Sequence, residues 1–214
     1  MRIFRSLEEV PADFGPTILS VGNFDGIHCG HLSVLKEVTE RARQNHSKAM
    51  AVTFEPHPFR ILRPDVTPRL ITPLAKKEAL LAQTGLDALL EITFTRDFSM
   101  TTPEEFARDI LAGKLHAKEV HEGDNFHFGH NAQGNTASLK ELGKQFGFEV
   151  RDHLDLGIEH GWIDMEKAAA ASGARFAYLL GDLVMVELAL IRLAVDTVRA
   201  EGFEPVVPPV LVRE

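Results

Sequence analysis

Short runs of apolar residues alternate with segments of helical periodicity over the first 150 residues of the chain. The runs are typical of buried strands, and they predict strands at residues 17–21, 49–54, 88–94 and 148–150 and around Val120. Between them, apolar positions three and four residues apart predict helices at residues 31–43, 73–84, 102–112 and 138–145. The alternation predicts an α/β fold, a Rossmann-like open parallel sheet with helices on both faces.

Local signals indicate where two of these helices begin. We predict that Thr72 is the N-cap of one helix, because Pro73 follows it at a position that tolerates proline, and that Gly85 ends this helix. The sequence from Thr102 to Glu105 reads Thr-Pro-Glu-Glu, which is the pattern of a capping box. The second helix is therefore expected to start at Thr102.

The pattern changes after residue 150 and predicts a second domain, residues 151–214, behind a first domain of residues 1–150. We predict one long helix, Asp182–Ala200, with Asp182 as its N-cap and Gly202 just past its end. Apolar residues cover most of its circumference, so the helix must be buried or lie in an interface. The prolines within residues 206–212 predict an extended segment at a sheet edge or an irregular strand.

Composition and charge narrow the class of protein. With 214 residues, of which 44% are hydrophobic, the chain can bury a substantial core. A formal net charge of -8 argues against a broad basic surface for nucleic acid. The single cysteine excludes an internal disulfide framework, and no apolar run is long enough for a membrane span or a secretory signal. We therefore expect a cytoplasmic protein without a membrane partner.

The segment of residues 21–31, Val-Gly-Asn-Phe-Asp-Gly-Ile-His-Cys-Gly-His, carries candidate chemistry. It follows a predicted strand and precedes a predicted helix, where open α/β sheets bind their ligands. Gly22 and Gly26 allow close approach of the backbone, and the helix N-terminus together with His28 and His31 could donate hydrogen bonds to phosphate oxygens. Two alternatives remain open, a strand-to-helix turn without function and a zinc site at the two histidines.

Several motifs resemble one family. The segment His-Cys-Gly-His resembles the H-x-G-H signature of the adenylyltransferase superfamily, and specifically the N-terminal module of bacterial FAD synthetases. The segments TFEPHP, LITPLAKKEALLAQTGLDALLEITFTRDFS, TPEEFA and GDNFHFGHNAQGN are similar to that family in the same order and spacing. This resemblance covers about residues 1–150. It implies a Rossmann-like nucleotidyltransferase that transfers AMP from ATP, with Mg²⁺, to FMN and so forms FAD and pyrophosphate.

The resemblance also implies roles for individual residues. His28 and His31 would be catalytic, and no residue is assigned to a metal. ATP would be bound by Gly22, Asn23, Phe24, Asp25, Gly26, His28, His31 and Asn125. FMN would be bound by Phe54, His57, Pro58, Asn125, Phe126 and Phe128. A structural role for His57 and core packing for the two phenylalanines remain open, and His127 stands where the family most often has arginine.

The chain departs from the family pattern at its end. It lacks the serine-rich motif with its arginine and the riboflavin kinase barrel that follow in the family, so we expect impaired adenylyl transfer and no riboflavin phosphorylation. Residues 153–214 instead resemble the motif 1 region of bacterial seryl-tRNA synthetase, which builds a dimer interface in that family. The chain is thus interpreted as an apparent chimera that pairs as a homodimer through Asp182–Ala200 and has no tRNA partner.

Three functional interpretations follow. The first is an FMN adenylyltransferase-like enzyme. The second is a non-catalytic chimera that binds nucleotide and dimerises. The third is a chain grouped with seryl-tRNA synthetases through its C-terminal fragment alone.

Overall fold

The computed structural model describes residues 1–66, 69–123, 126–152, 155, 158–159, 161–172 and 178–206. The chain divides into two compact units, Met1–His153 and Leu154–Glu214.

A six-stranded sheet forms the centre of the first unit. Its strands are β1 (Arg2–Phe4), β2 (Thr17–Val21), β3 (Lys48–Glu55), β4 (Ala88–Thr93), β5 (Ala117–His121) and β8 (Glu149–Arg151). Neighbouring strands are parallel, in the order β1-β4-β3-β2-β5-β8. A short antiparallel pair, β6 (His127–Phe128) and β7 (Gly134–Asn135), lies between β5 and β8 in the chain. The predicted parallel α/β sheet is confirmed.

Helices connect these strands. They are α1 (Cys29–Gln44), α2 (Pro58–Leu62), α3 (Leu74–Leu81), α4 (Pro103–Glu105) with a π-helical continuation (Phe106–Lys114), and α5 (Thr136–Phe146). The pattern predicted all of them except α2. That helix has five residues, too few for an apolar face to repeat along the sequence.

Two clusters of buried apolar side chains lie on opposite faces of the sheet. Neighbouring residues of a strand point to opposite faces, and Ile18 and Leu19 of β2 accordingly belong to different clusters. The cluster with Ile18 includes side chains of α1 and α3, namely Leu35, Val38 and Leu81. The cluster with Leu19 includes side chains of the π-helical continuation of α4 and of α5, namely Phe106, Ile110, Leu111 and Leu139. Helices therefore cover both faces, as predicted.

The capping box at α4 is confirmed. The Thr102 hydroxyl accepts a hydrogen bond from the Glu105 amide at 3.2 Å, and the Glu105 carboxylate accepts one from the Thr102 amide at 2.8 Å. These two bonds satisfy amides that have no partner within the helix.

The prediction that Thr72 caps α3 is wrong. Pro73 occupies the N-cap position without a side-chain hydrogen bond, and Leu74 is the first helical residue. The Thr72 hydroxyl oxygen instead accepts a hydrogen bond from the Gly26 amide at 2.9 Å. A tertiary partner thus takes the oxygen that the local pattern assigned to the helix. Gly85 follows the last helical turn in a left-handed conformation, as predicted.

The second unit contains β9 (Ile163–Asp164), α6 (Met165–Ser172), β10 (Tyr178–Leu179) and α7 (Asp182–Ala200), and β9 and β10 pair antiparallel. Helix α7 has the predicted bounds, but its N-cap is Gly181 and not Asp182. The first helical residue is therefore Asp182, one residue earlier than the capping pattern indicated. Its side chains are exposed or half-buried.

The extended segment predicted at residues 206–212 lies outside the described residues except for Val206, which has no regular structure. Among the described helices, none is both long enough and apolar enough to cross a membrane.

Candidate functional site

The loop of residues 22–28 leaves the sheet at its centre. It follows β2, which pairs with β3 on one side and β5 on the other. From β2 the chain adds β3 and then β4 on one side of β2, and it later adds β5 on the other side. Such a reversal of strand order opens a crevice at the carboxyl ends of the strands, where ligands bind in open α/β sheets.

The backbone of this loop is unusual. Phe24, Gly26 and Ile27 all have positive φ angles, of 47°, 76° and 38°. For a residue with a Cβ, such a conformation costs of order 1–3 kcal/mol and persists only when the surroundings hold it. Phe24 and Ile27 are buried in the cluster with Leu35, which provides that support. Core packing therefore shapes the loop.

Asp25 connects the loop to the segment before α3. Its carboxylate accepts hydrogen bonds from the amides of Ile71 and Thr72, both at 2.9 Å, and the neighbouring Gly26 amide donates to the Thr72 hydroxyl. Burial acts to raise the pKa of Asp25, but these bonds hold it below its ordinary value. The carboxylate that we assigned to ATP binding thus joins two loops.

The Lys77 side chain binds the backbone of the loop at Asn23. This residue was not identified from the sequence. Its Nζ donates to the Asn23 carbonyl oxygen at 3.2 Å and to the Thr53 hydroxyl at 3.3 Å. Burial lowers the pKa of Lys77, and nearby carboxylates such as Glu55 oppose this shift. Lys77 lies one helical turn before the buried Leu81, and this spacing was the available signal for an inward-facing lysine.

His28 and His31 lie together at the start of α1. His28 is the N-cap, and its Nδ1 accepts a hydrogen bond from the His31 amide at 3.3 Å. The two imidazole rings stack with centroids 3.8 Å apart, and Phe24 contacts His31 edge-on at 5.3 Å. Gly30 permits this arrangement, because a Cβ there would lie 3.1 Å from the His28 Nδ1. The two histidines, three residues apart in the sequence, therefore form one stacked pair in the structure.

The surroundings of the pair disfavour a positive charge on His31. Burial lowers the pKa of His31, and the His28 imidazole lowers it further, against the opposing charge of Asp25. The His31 Nδ1 is buried and has no hydrogen-bond partner among the described residues. The first turn of α1 itself carries no acidic residue, and the partial positive charge of a helix N-terminus favours an anion there.

His57 and Pro58, which were predicted to bind flavin, follow the end of β3, and His57 lies near enough to the loop for the charge of Asp25 to act on it. His57 is the N-cap of α2, and its Nδ1 accepts a hydrogen bond from the Phe59 amide at 3.2 Å. Burial lowers the pKa of His57, and the charges of Asp25 and Lys77 also act on it. Pro58 is the first residue of α2. The capping bond shows a local structural role for His57, one of the two alternatives that the sequence left open.

Three phenylalanines of the predicted site pack in aromatic groups. Phe54 contacts Phe94 edge-on, with ring centroids 5.8 Å apart. Phe126 stacks on Phe128 at 5.3 Å, and Phe128 is buried against Phe106 at 5.7 Å. Phe128 belongs to the cluster with Leu19, on the opposite face of the sheet from Phe24. Phe128 is thus packed in the core cluster in this structure.

Asn125, predicted for both nucleotides, lies outside the described residues. His127 is exposed on β6. Within the part of the chain that the structure describes, no three histidine, cysteine, aspartate or glutamate side chains group as a metal site.

A second buried group was also missed. The Glu122 carboxyl lies directly after β5 and accepts a hydrogen bond from the Val21 amide at 2.6 Å. Burial raises the pKa of Glu122 well above its ordinary range, although the Val21 bond acts in the opposite direction. Glu122 lies between His121 and Gly123 in the sequence, and this local pattern does not predict a buried carboxyl.

The fold and the loop define a class of protein. A parallel sheet with a glycine-bearing turn and a histidine pair at its switch point is a Rossmann-like arrangement of the nucleotidyltransferase type. The family model described as FAD synthetase matches residues 10–165, and the chain belongs to this family. The match extends past residue 150, where the sequence pattern placed the end of the first domain.

Several bacterial proteins described as bifunctional riboflavin kinase/FMN adenylyltransferase are similar to the chain. The Escherichia coli protein is 33% identical over 150 residues, which are 70% of this chain and 47% of that protein. A Buchnera aphidicola protein is 29% identical over 183 residues, 84% of this chain and 58% of that protein. The chain thus spans about half the length of the curated relatives it matches.

One solved structure shows a similar fold. A protein from Streptococcus pneumoniae, described as a macrolide-efflux protein, aligns with a TM-score of 0.59 at 23% sequence identity. The alignment covers 71% of this chain and 50% of that one. It supports the α/β architecture alone.

Proposed function

We propose that the chain is an FMN adenylyltransferase, which transfers the AMP group of ATP to FMN and forms FAD and pyrophosphate. The observation that carries this proposal is the stacked pair of His28 and His31 at the N-terminus of α1, in a chain of the FAD synthetase family. The relatives that match it are described as having this activity.

In the proposed reaction, a phosphate oxygen of FMN attacks the α-phosphorus of ATP. A bond forms between this oxygen and the α-phosphorus, the bond from the α-phosphorus to the bridging oxygen breaks, and pyrophosphate leaves with the electron pair. Negative charge spreads over the phosphate oxygens in the transition state. His28, His31 and the free amides of α1 would donate hydrogen bonds to these oxygens, and Mg²⁺ would arrive with ATP as part of the substrate.

The chemistry assigns no covalent nucleophile to the protein. The loop of residues 22–28 would orient the triphosphate. Asp25 would keep the loop in position through its hydrogen bond from the Thr72 amide, and Lys77 through its hydrogen bond to the Asn23 carbonyl oxygen. His57 and Phe54 would lie at the FMN side, next to the same crevice. Asn125, Phe126 and Phe128 stay part of this proposal as contacts to the nucleotides.

The direct test is the formation of FAD from FMN, ATP and Mg²⁺, followed by chromatography. We expect the double variant His28→Ala/His31→Ala to lower the rate by about 10²–10⁴-fold, because it removes the side-chain donors to the transition state. His46→Asn, at the other end of α1, is the matched control, because asparagine tolerates the positive φ of 49° at that position. FAD formation at the unchanged rate in the double variant would contradict the proposal.

We also propose that the chain forms a homodimer through α7. Met185, Leu190 and Leu193 of this helix are each more than 60% exposed, and leaving several such side chains in water is unfavourable. We propose further that residues 153–214 correspond to the motif 1 region of seryl-tRNA synthetase, which builds a dimer interface in that family, and that the chain is a chimera. The alternative, a chain that binds nucleotide without turnover, predicts that the protein binds ATP and forms no FAD.

A further inference from the structure

The pairing between β2 and β5 ends before β2 does. Leu19 of β2 pairs with Val120 of β5, whereas Val21 donates its amide hydrogen to the Glu122 side chain. The Glu122 amide bonds in the other direction, to the Arg151 carbonyl oxygen at 3.0 Å. Here a side-chain carboxyl replaces a main-chain acceptor of β5, and the two strands separate at their carboxyl ends.

This replacement occurs at the start of the candidate loop. Val21 directly precedes Gly22, whose amide donates to the Val52 carbonyl oxygen of β3 at 2.9 Å. The chain is thus held on one side by β3 and on the other by Glu122 just before it leaves the sheet. A change in either bond would reorient the segment that leads to His28.

Two other buried carboxyls of the sheet make a different kind of contact. Glu119 binds Arg41 through two hydrogen bonds of 2.7 and 2.8 Å, and Glu91 pairs with Arg5. Both side chains join elements away from the loop of residues 22–28. Glu122, in contrast, bonds to the main chain of the residue next to that loop. Its position therefore indicates a role in the loop and not only in the sheet.

We infer that Glu122 is a positioning residue for the nucleotide site: its side chain sets the opening between β2 and β5 and the direction of the loop that binds the triphosphate. This inference rests on the proposed function. It assigns no contact between Glu122 and substrate. It gives the carboxyl a function through Val21 and the loop that follows.

The hydrogen bond from Val21 makes the inference testable. Glutamine has nearly the same shape as glutamate and keeps a side-chain oxygen that can accept this bond. Burial raises the pKa of Glu122 well above its ordinary value, which favours the uncharged form that glutamine resembles. Leucine matches its approximate volume and removes that acceptor.

The experiment compares Glu122→Gln and Glu122→Leu by the dissociation constant for ATP with Mg²⁺, measured by calorimetry, and by KM and kcat of FAD formation. Glu122→Gln should stay within about threefold of the parent chain, and Glu122→Leu should weaken ATP binding by about tenfold, since one buried hydrogen bond is lost. Thr17→Val is the matched control, because it removes a buried hydrogen bond to Leu115 at the opposite end of β2.

The outcomes separate this inference from the proposed function. If the parent chain binds ATP and forms no FAD, the function fails and the ATP dissociation constants still test Glu122. Unchanged ATP binding in Glu122→Leu, or equal weakening in Thr17→Val at the same loss of thermal stability, would overturn the inference. If Glu122→Leu does not fold, Glu122→Met replaces it. If neither of these variants folds and Glu122→Gln does, Glu122 has a structural role only.

Discussion

The backbone of Gly30 lies close to the imidazole ring of His28. A Cβ at this residue would lie 3.1 Å from Nδ1 and 3.2 Å from Cε1 of His28, closer than side chains normally approach. The glycine is inside the first turn of α1, where alanine would otherwise stabilise the helix. Glycine here favours the position of the imidazole over the stability of the helix.

We therefore predict that Gly30→Ala lowers activity and leaves stability nearly unchanged. The free energy of unfolding should change by no more than about 1 kcal/mol, because the gain in helix propensity offsets the displacement of one exposed ring. FAD formation should fall by about tenfold or more, because small displacements of a catalytic group are costly. Chemical denaturation and the FAD assay measure the two quantities.

Ser33→Ala is the control for this variant. Ser33 is exposed on the same helix, three residues further on, and its replacement raises helix propensity alone. Equal activity in the two variants would show that the close contact between Gly30 and His28 has no catalytic consequence.

At the scale of the element, α4 illustrates a helix whose start is encoded locally. Both bonds of its capping box join Thr102 and Glu105, three residues apart. The helix then continues to Lys114 with π-helical geometry, beyond the predicted end near residue 112. Its buried residues, Phe106 and Ile110 among them, cover one face of the sheet.

Removing this cap should weaken the fold and leave the nucleotide site intact. We expect Thr102→Ala to lower the free energy of unfolding by about 1 kcal/mol, since the amide of Glu105 loses its acceptor. Urea denaturation measures this loss, and calorimetry with ATP should show an unchanged dissociation constant. Glu104→Gln, exposed in the same turn, should change neither quantity, and a fall as large as that of Thr102→Ala would contradict the capping role.

At the scale of the whole molecule, the chain consists of one unit with a complete sheet core and one with an exposed apolar helix. The two buried clusters both belong to the unit Met1–His153. In the unit Leu154–Glu214, α7 has no buried residue. The proposed homodimer gives these side chains a partner surface.

Light scattering at micromolar concentration tests the dimer. The parent chain should show twice the chain mass of 23.7 kDa, and Leu190→Glu/Leu193→Glu should show the mass of one chain, because burying two charges in an apolar interface is unfavourable. Arg199→Gln, on the same helix, should remain dimeric. A parent chain with the mass of a monomer would end the proposal.

Much of the fold could be predicted from the sequence because its signals are local. Apolar runs locate β2 and β3, and the helical patterns locate α1 and α7, each to within a few residues, because these signals lie within one segment of the chain. The proximity of His28 to His31 is equally local, because three helical residues bring both rings to one turn. The family motifs lie in these same segments.

Tertiary structure alone decided the partners that hold the site together. Asp25 meets Thr72 across 47 positions, Lys77 meets Asn23 across 54, and Val21 meets Glu122 across 101. No periodicity relates such residues, because they become neighbours only when parallel strands bring their carboxyl ends to one edge of the sheet. The sequence by itself determined the main strands and helices of the first unit, α7 and the histidine pair, and the folded sheet determined which buried polar groups support that pair.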